Sequence, residues 1–257
     1  MWGDLSQLVA WGRHYSRAPI AEAILELRVV LPDHVTLDDL ASLMKDDPDY
    51  PTSNPQIAVQ GQFEIIRDDV ISSASGRIVG HAWPRQDQRR VVQAHLDRFV
   101  FSWLPPYDRW DVFLEEAESM WSRFRSVAQP QQVVGVGVRF VNKIDIHSSA
   151  VEIKDYLRTS VDVSPYLPQF ISGLFMQIDV PLQRHQAMAT ITTMLTESPE
   201  EGQTSLVLDI DTRRQVAMSL DDKSFDADLR ASLAVLRDAK NYVFEACITD
   251  ATRGLIS

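Results

Sequence analysis

Two aspartates near the end of a strand-like run have the spacing of an acid–base or metal-binding pair. In Leu208-Asp209-Ile210-Asp211 the carboxylates are two residues apart, and in a β-strand that spacing places both on one face of the sheet. A hard cation such as Mg²⁺ could bridge them there. A metal site needs further carboxylates that cannot be assigned here. The favoured interpretation is therefore structural: the acids pair with Arg139 or cap the following turn.

Charged residues also alternate with apolar ones in two long strand-like segments. Glu22, Glu26 and Arg28 share one side of the first segment, and Arg139 and Lys143 share one side of the second. If the two strands pair antiparallel, we expect these side chains to form a polar seam on one face of the sheet. The seam is either a set of recognition groups or an ordinary cross-strand ion-pair ladder.

The remaining sequence offers little for catalysis. The six histidines are far apart, and no pair has the spacing of a zinc site on one helix turn. Gly135 and Gly137 lie inside a strand without a third glycine or a following Lys-Ser/Thr, so they do not form a phosphate loop. The single cysteine, Cys247, lies on the apolar stripe of the last helix and is predicted to be core. We therefore predict no catalytic residue, no metal site and no cofactor.

Charge argues against nucleic acid as a direct ligand. The 257 residues include 25 Lys/Arg and 36 Asp/Glu, for a net charge of −11. Neither half is basic, with −6 for residues 1–130 and −5 for residues 131–257, so phosphate neutralisation has no basic surface to use. No apolar run is long enough for a membrane span, and the first residues do not resemble a secretory signal. We expect a cytoplasmic protein with no membrane contact.

The elements that must carry these residues occur in the same order twice: strand, helix, three strands, long helix. In the first half they are predicted over residues 21–31, 36–44, 57–65, 70–83, 91–103 and 108–127. In the second half they are predicted over residues 133–146, 151–157, 170–180, 187–195, 204–210 and 225–249. The first long helix has a buried face with the 3.6-residue period, formed by Trp110, Phe113, Leu114, Ala117, Trp121 and Phe124.

This order predicts the fold class. Three consecutive strands form an antiparallel meander that a long helix covers on one face, and pairing the first strands of the two halves protects their edges. We predict an α+β fold in which two β-α-β-β-β-α halves form one continuous antiparallel sheet of about eight strands, with helices on one face. The halves are residues 17–130 and 131–257 of one pseudo-symmetric unit, preceded by an N-terminal arm, residues 1–16. The arrangement resembles the saddle of the TATA-binding-protein-like and helix-grip folds.

Several short motifs, in the same order along nearly the whole chain, resemble a family of sporadically distributed bacterial proteins of unknown function. They are the Pro19-Ile20-Ala21-Glu22 opening, Pro106-Tyr107 with Trp110, Arg139-Phe140-Val141-Asn142, Leu208 to Asp211, and the helix Asn241 to Glu245 followed by Ile248-Thr249-Asp250. Phe140 stands where the family commonly has tyrosine. The patchy distribution of the family is typical of mobile defence or toxin–antitoxin genes, but the resemblance implies no activity or catalytic residue.

Two functions from different classes remain. The first is a non-catalytic binding protein, antitoxin-like or defence-associated, that recognises a protein such as a toxin or defence effector, or a small ligand, on the open face of the sheet. The second is a metal- or nucleotide-dependent enzyme that uses acidic residues in the sheet cleft. An oligomer is compatible with either. The predicted binding residues are Glu22, Glu26, Arg28, Arg139, Asn142, Lys143, Asp209 and Asp211.

Overall fold

The computed structural model describes residues 13–66, 69–148, 151–168, 171–197 and 202–257. Within these ranges the chain forms nine strands and five α-helices. The strands are β1 (Ile20–Val30), β2 (Asn54–Ile66), β3 (Asp69–Pro84), β4 (Arg90–His95), β5 (Arg98–Trp103), β6 (Gln132–Ile146), β7 (Phe175–Leu182), β8 (Ala187–Glu197) and β9 (Thr204–Ser219). The helices are α1 (Leu37–Ala41), α2 (Trp110–Ala128), α3 (Ile153–Tyr156), α4 (Phe225–Cys247) and α5 (Asp250–Ile256).

All nine strands belong to one antiparallel sheet with the order β2-β3-β4-β5-β1-β6-β9-β8-β7. The first strands of the two halves, β1 and β6, pair at its centre, from Ile20 opposite Asn142 to Val30 opposite Gln132. On either side of this seam lies the last strand of the same half, β5 beside β1 and β9 beside β6. The predicted α+β class and the continuous antiparallel sheet are confirmed.

The first half has one more strand than the predicted order. The run 91–103, expected as a single strand, is the hairpin β4–β5, in which Ala94 pairs with Phe99. The chain reverses at Leu96-Asp97, where the Asp97 carboxylate accepts two hydrogen bonds of 3.0 Å from Arg98. Both arms present apolar residues to the same core, so the alternation of side chains hides the turn between them.

The helices cover one face of the sheet and bury its apolar side chains. The predicted face of α2 is confirmed for Trp110, Phe113, Ala117, Trp121 and Phe124, which are all buried. They pack against β1, β5 and β6, while α4 spans this core and a second one under β6 to β9. Burial of so many large side chains against one face supplies most of the hydrophobic stabilisation of the sheet.

Local signals set several element ends. The Thr36 hydroxyl caps α1 and the Asp39 carboxylate accepts from the Thr36 backbone N–H, which together form a capping box. The last predicted helix, 225–249, divides at Ile248, where the backbone becomes extended and Thr249 caps α5. Strand β7 begins at Phe175 rather than at residue 170, since its pairing with β8 starts there. Most of the predicted N-terminal arm, residues 1–12, lies outside the described residues.

Among the described residues, no helix has the length and apolar character needed to cross a membrane.

Candidate functional site

The open face of the sheet, on the side away from α2 and α4, carries a cleft at the seam between the two halves. This central cleft has a volume of about 1070 Å³. Alternation along β1 places Glu22, Ile24, Glu26 and Arg28 on its floor, while the intervening residues of β1 are in the core. Of the eight predicted binding residues, the structure brings five into the cleft, namely Glu22, Glu26, Arg28, Arg139 and Asp211.

Two glycines of β6 face charged residues of β1, and one of them, Gly137, lines the central cleft. Gly135 pairs with Arg28 and Gly137 pairs with Glu26 across the β1–β6 seam. A Cβ atom on Gly135 would lie 3.2 Å from Cδ of Arg28, and one on Gly137 would lie 3.5 Å from Cβ of Glu26. The side chains of β1 therefore lean over backbone that carries no side chain of its own. Gly135 and Gly137 are two residues apart in a strand, and this spacing in the sequence was the signal that both lie on one face of the sheet.

The seam is not the expected cross-strand ion-pair ladder. Because Glu26 and Arg28 face glycines, and Arg139 faces Ile24, no charged residue of β1 is directly opposite a charged residue of β6. Arg139 instead reaches across to β9 and binds Asp209 through both ends of its guanidinium, with Nε–Oδ1 at 2.9 Å and Nη2–Oδ2 at 2.6 Å. This is the pairing that the structural interpretation of Asp209 predicted.

The second aspartate of the pair has a different environment. Asp211 lies directly opposite Arg139 in the sheet, and its Oδ2 atom is 3.5 Å from Nε of Arg213. Burial raises the pKa of the Asp211 carboxyl, and the nearby Arg213 and Arg139 only partly oppose that rise. The pKa of the Arg139 guanidinium is raised as well, because Arg139 donates hydrogen bonds to the Asp209 carboxylate.

Side chains of four further strand residues and of one turn residue also line the cleft. They are Arg77 of β3, His95 of β4, Arg98 of β5, Arg213 of β9 and Asp97 of the β4–β5 turn. Arg98 pairs with Asp97 and lies 3.8 Å from Glu26. Burial, and then the neighbouring Arg98, lower the pKa of His95. The sheet order brings β4 and β9 within two strands of β1, and β3 within three, and no local sequence pattern encodes that order.

Three charged groups of the cleft lack an ion pair within the part of the chain that the structure describes. Among the described residues, neither Arg28 nor Arg77 has an ion pair or a side-chain hydrogen bond, and the same holds for Glu22. Arg28 and Arg77 are exposed, whereas Glu22 is half-buried. The cleft thus presents unpaired charges of both signs around an ion pair that is already satisfied.

Three predicted binding residues lie elsewhere. Asn142 faces the helices, not the open face, and its amide nitrogen donates to the carbonyl oxygens of Phe140 and Leu208 at 3.2 and 3.0 Å. Its position follows from alternation, since it lies two residues from the core residue Phe140. Lys143 binds Asp145 at 3.1 Å outside the cleft. Asp209 lies behind Arg139 and is not part of the lining.

Groups for metal or nucleophilic chemistry are not assembled in the part of the chain that the structure describes. No cluster of three or more His, Cys, Asp or Glu side chains there could hold a metal ion. Asp209 is occupied by Arg139, so a cation bridging the two aspartates would have to displace an arginine. Cys247 is buried in the second core, as expected, and burial raises its pKa to about 11.

No protein-family model matches the chain, and no match is found among curated proteins.

Proposed function

We propose that this chain is a non-catalytic binding protein whose central cleft holds a segment of a protein partner carrying charges of both signs. The observation that carries the proposal is the set of unpaired charges, Glu22, Arg28 and Arg77, around a glycine floor in an open cleft of about 1070 Å³. Charged groups without internal partners are available to a second molecule at little cost, because they do not first have to leave an ion pair.

The composition of the cleft favours a protein segment over a small molecule. Small-ligand sites are mostly apolar, with a few polar groups that fix orientation. Here nine charged side chains from five strands and one turn outnumber the seven apolar side chains of the lining, which are Ile24, Leu37, Ala58, Ile78, Val79, Leu96 and Val100. An open, charge-rich surface at the centre of a sheet suits a polypeptide that makes several ion pairs along its length.

The charge pattern specifies the partner further. Arg28 and Arg77 call for carboxylates, and Glu22 calls for a lysine or arginine of the partner. The net charge of −11 of the whole chain favours the approach of a basic protein over long range. A basic toxin or defence effector is a partner of this kind. The antitoxin-like or defence-associated role rests on the family resemblance, and the cleft is the surface proposed to serve it.

Selection of random peptides on the purified protein tests this proposal. A valine at Gly137 has room at Cβ, suits a strand, and projects into the cleft, so Gly137→Val should fold while obstructing the floor. A Cβ atom on Gly173 would meet no other atom within 4 Å, so Gly173→Val is the matched control.

We expect selected peptides to contain both acidic and basic residues. Their affinity should fall at least about tenfold in Gly137→Val and in Arg28→Ala, and should be unchanged in Gly173→Val. Peptides that bind the wild type and Gly137→Val equally would contradict the proposal, as would a selection that yields purely apolar sequences. Circular dichroism of each variant checks that the fold is retained.

A further inference from the structure

A second pocket lies on the opposite side of β6 from the central cleft. This helix-side pocket has a volume of about 530 Å³ and is enclosed by residues 13–20, the loop 105–109, the start of α2, β6 and the second half of α4. Several residues that carry the family resemblance meet here from separate parts of the chain. They are Pro19, Pro106, Tyr107, Trp110, Phe140, Asn142, Asn241, Phe244 and Glu245.

Two cations of α4 line this pocket. Arg237 and Lys240 are three residues apart, and therefore lie on the same face of the helix. The Arg237 guanidinium is 5.6 Å from the centre of the Trp110 ring, and the Lys240 ammonium is 3.8 Å from the centre of the Phe140 ring. In the described part of the chain, neither cation forms an ion pair with a carboxylate.

The acids of the pocket do not neutralise them. Glu245 accepts a hydrogen bond of 2.6 Å from the Tyr15 hydroxyl and is paired with Arg253 at 3.0 Å. Asp108 also lines the pocket but forms no ion pair with Arg237 or Lys240 among the described contacts. Burial, and then the like charge of Arg237, lower the pKa of Lys240 to about 7. Burial disfavours the charged form because the ammonium loses its water, and Arg237 disfavours it because like charges repel.

Neutral hydrogen-bond donors lie beside the cations. The Tyr107 hydroxyl and the Asn241 amide both line the pocket, and neither has a side-chain hydrogen bond within the described residues. Aromatic rings form the walls: the ring of Tyr107 lies 5.4 Å from that of Phe140, and the ring of Trp110 lies 6.5 Å from it. The pocket thus combines the two cations of α4, two neutral donors and a wall of aromatic rings.

We infer that the helix-side pocket binds a small organic anion, whose carboxylate or phosphate is held by Arg237 and Lys240 and whose apolar body lies against the aromatic wall. Charge-assisted hydrogen bonds from a guanidinium and an ammonium are the usual means of holding either group. An anion between the cations also removes their mutual repulsion. The volume exceeds what an inorganic ion fills, which assigns the remaining space to the organic body.

The test is calorimetric titration of the full chain with phenyl phosphate and benzoate, with benzyl alcohol as the neutral molecule of matched shape. We expect both anions to bind with a Kd below about 1 mM, and benzyl alcohol to bind at least about tenfold more weakly. Lys240→Gln and Arg237→Gln should each weaken the anions at least about tenfold. Lys45→Gln, an exposed position outside both the central cleft and the helix-side pocket, should leave them unchanged.

Arg237 is exposed, so we expect Arg237→Gln to fold. This variant therefore tests the inference even if Lys240→Gln does not fold. The inference is overturned if neither anion binds at concentrations up to about 10 mM, if benzyl alcohol binds as tightly as the anions, or if Arg237→Gln retains full affinity. Since the pocket and the central cleft lie on opposite faces, failure here leaves the proposed protein-binding function untouched, and the reverse also holds.

Discussion

Replacing Arg139 should destabilise the protein far more than replacing its partner Asp209. The Asp209 side chain is only 9% exposed, whereas the Arg139 side chain is 45% exposed. Arg139→Ala therefore leaves a carboxylate in a nearly dry position without its two hydrogen bonds, while Asp209→Ala leaves a guanidinium that water can reach. Breaking a fully buried pair from one side costs about 3–5 kcal/mol. Partial exposure of Arg139 lowers that figure, and we expect about 2–3 kcal/mol.

The partner substitution has a smaller expected cost. Asp209→Ala removes an ion pair that is half in water, for which about 0.5–1 kcal/mol is typical. The double variant should resemble Asp209→Ala alone, because the unpaired buried carboxylate has then been removed. The losses are consequently non-additive, with a coupling energy of about 2–3 kcal/mol, equal to the loss expected for Arg139→Ala.

Urea denaturation followed by circular dichroism measures all three variants. In thermal melts, Arg139→Ala should lower Tm by about 5–10 °C, on the usual scale of about 2–4 °C per kcal/mol for a chain of this size. Equal losses for the two single variants, or additive losses in the double variant, would refute the argument from unequal exposure. The result also bears on the cleft, since it separates the structural role of Arg139 from any part in binding.

Three further predictions concern the two cores and the helix-side pocket. The pKa of Lys240 is about 7 in the folded protein and has its ordinary value of 10.5 in the unfolded chain. Between these pH values the unfolded chain binds more protons, so the free energy of unfolding should rise with pH. Lys240→Met should therefore stabilise the protein by about 1–3 kcal/mol at pH 6 and by much less at pH 9, in urea titrations at both pH values; an equal gain at both would contradict this. Trp121→Ala should lower the free energy of unfolding by about 3–5 kcal/mol in the same assay. Trp121→Phe should lower it clearly less, because the buried indole Nε1 has no hydrogen-bond acceptor among the described residues. A loss below about 1 kcal/mol for Trp121→Ala would show that this face of α2 is not core. Cys247, whose pKa burial raises to about 11, should resist iodoacetamide at pH 8 until denaturant is added, as mass spectrometry of the alkylated chain would show.

The fold was predictable because its signals are local and repeated. The alternation in β1, the 3.6-residue period of α2 and the cap at Thr36 each follow from a few neighbouring residues. The β4–β5 hairpin was missed since both arms bury residues on the same face, and a two-residue turn at Leu96-Asp97 interrupts the pattern only briefly.

The candidate site was predictable only in part. Alternation alone indicated that Glu22, Glu26 and Arg28 share the open face, and the central pairing of β1 with β6 followed from the need to protect two edges. The pairing of Arg139 with an acid of Leu208 to Asp211 was also predictable. Which of the two aspartates it binds was not, since Arg139 lies directly opposite Asp211 in the sheet but binds Asp209. The helix-side pocket could not be predicted from the sequence, because its lining residues, such as Tyr107 and Lys240, are more than 100 residues apart in the chain.

The most direct test of the central claim is site-specific photo-crosslinking of the tightest selected peptide. A photoreactive amino acid replaces Ile24, which lies in the cleft, or Glu115, an exposed residue of α2 on the opposite face of the sheet. We predict a covalent adduct from position 24, lost when unlabelled peptide competes, and none from position 115. Crosslinking of equal yield at both positions, or at position 115 alone, would contradict the claim that the open face of the sheet is the binding surface.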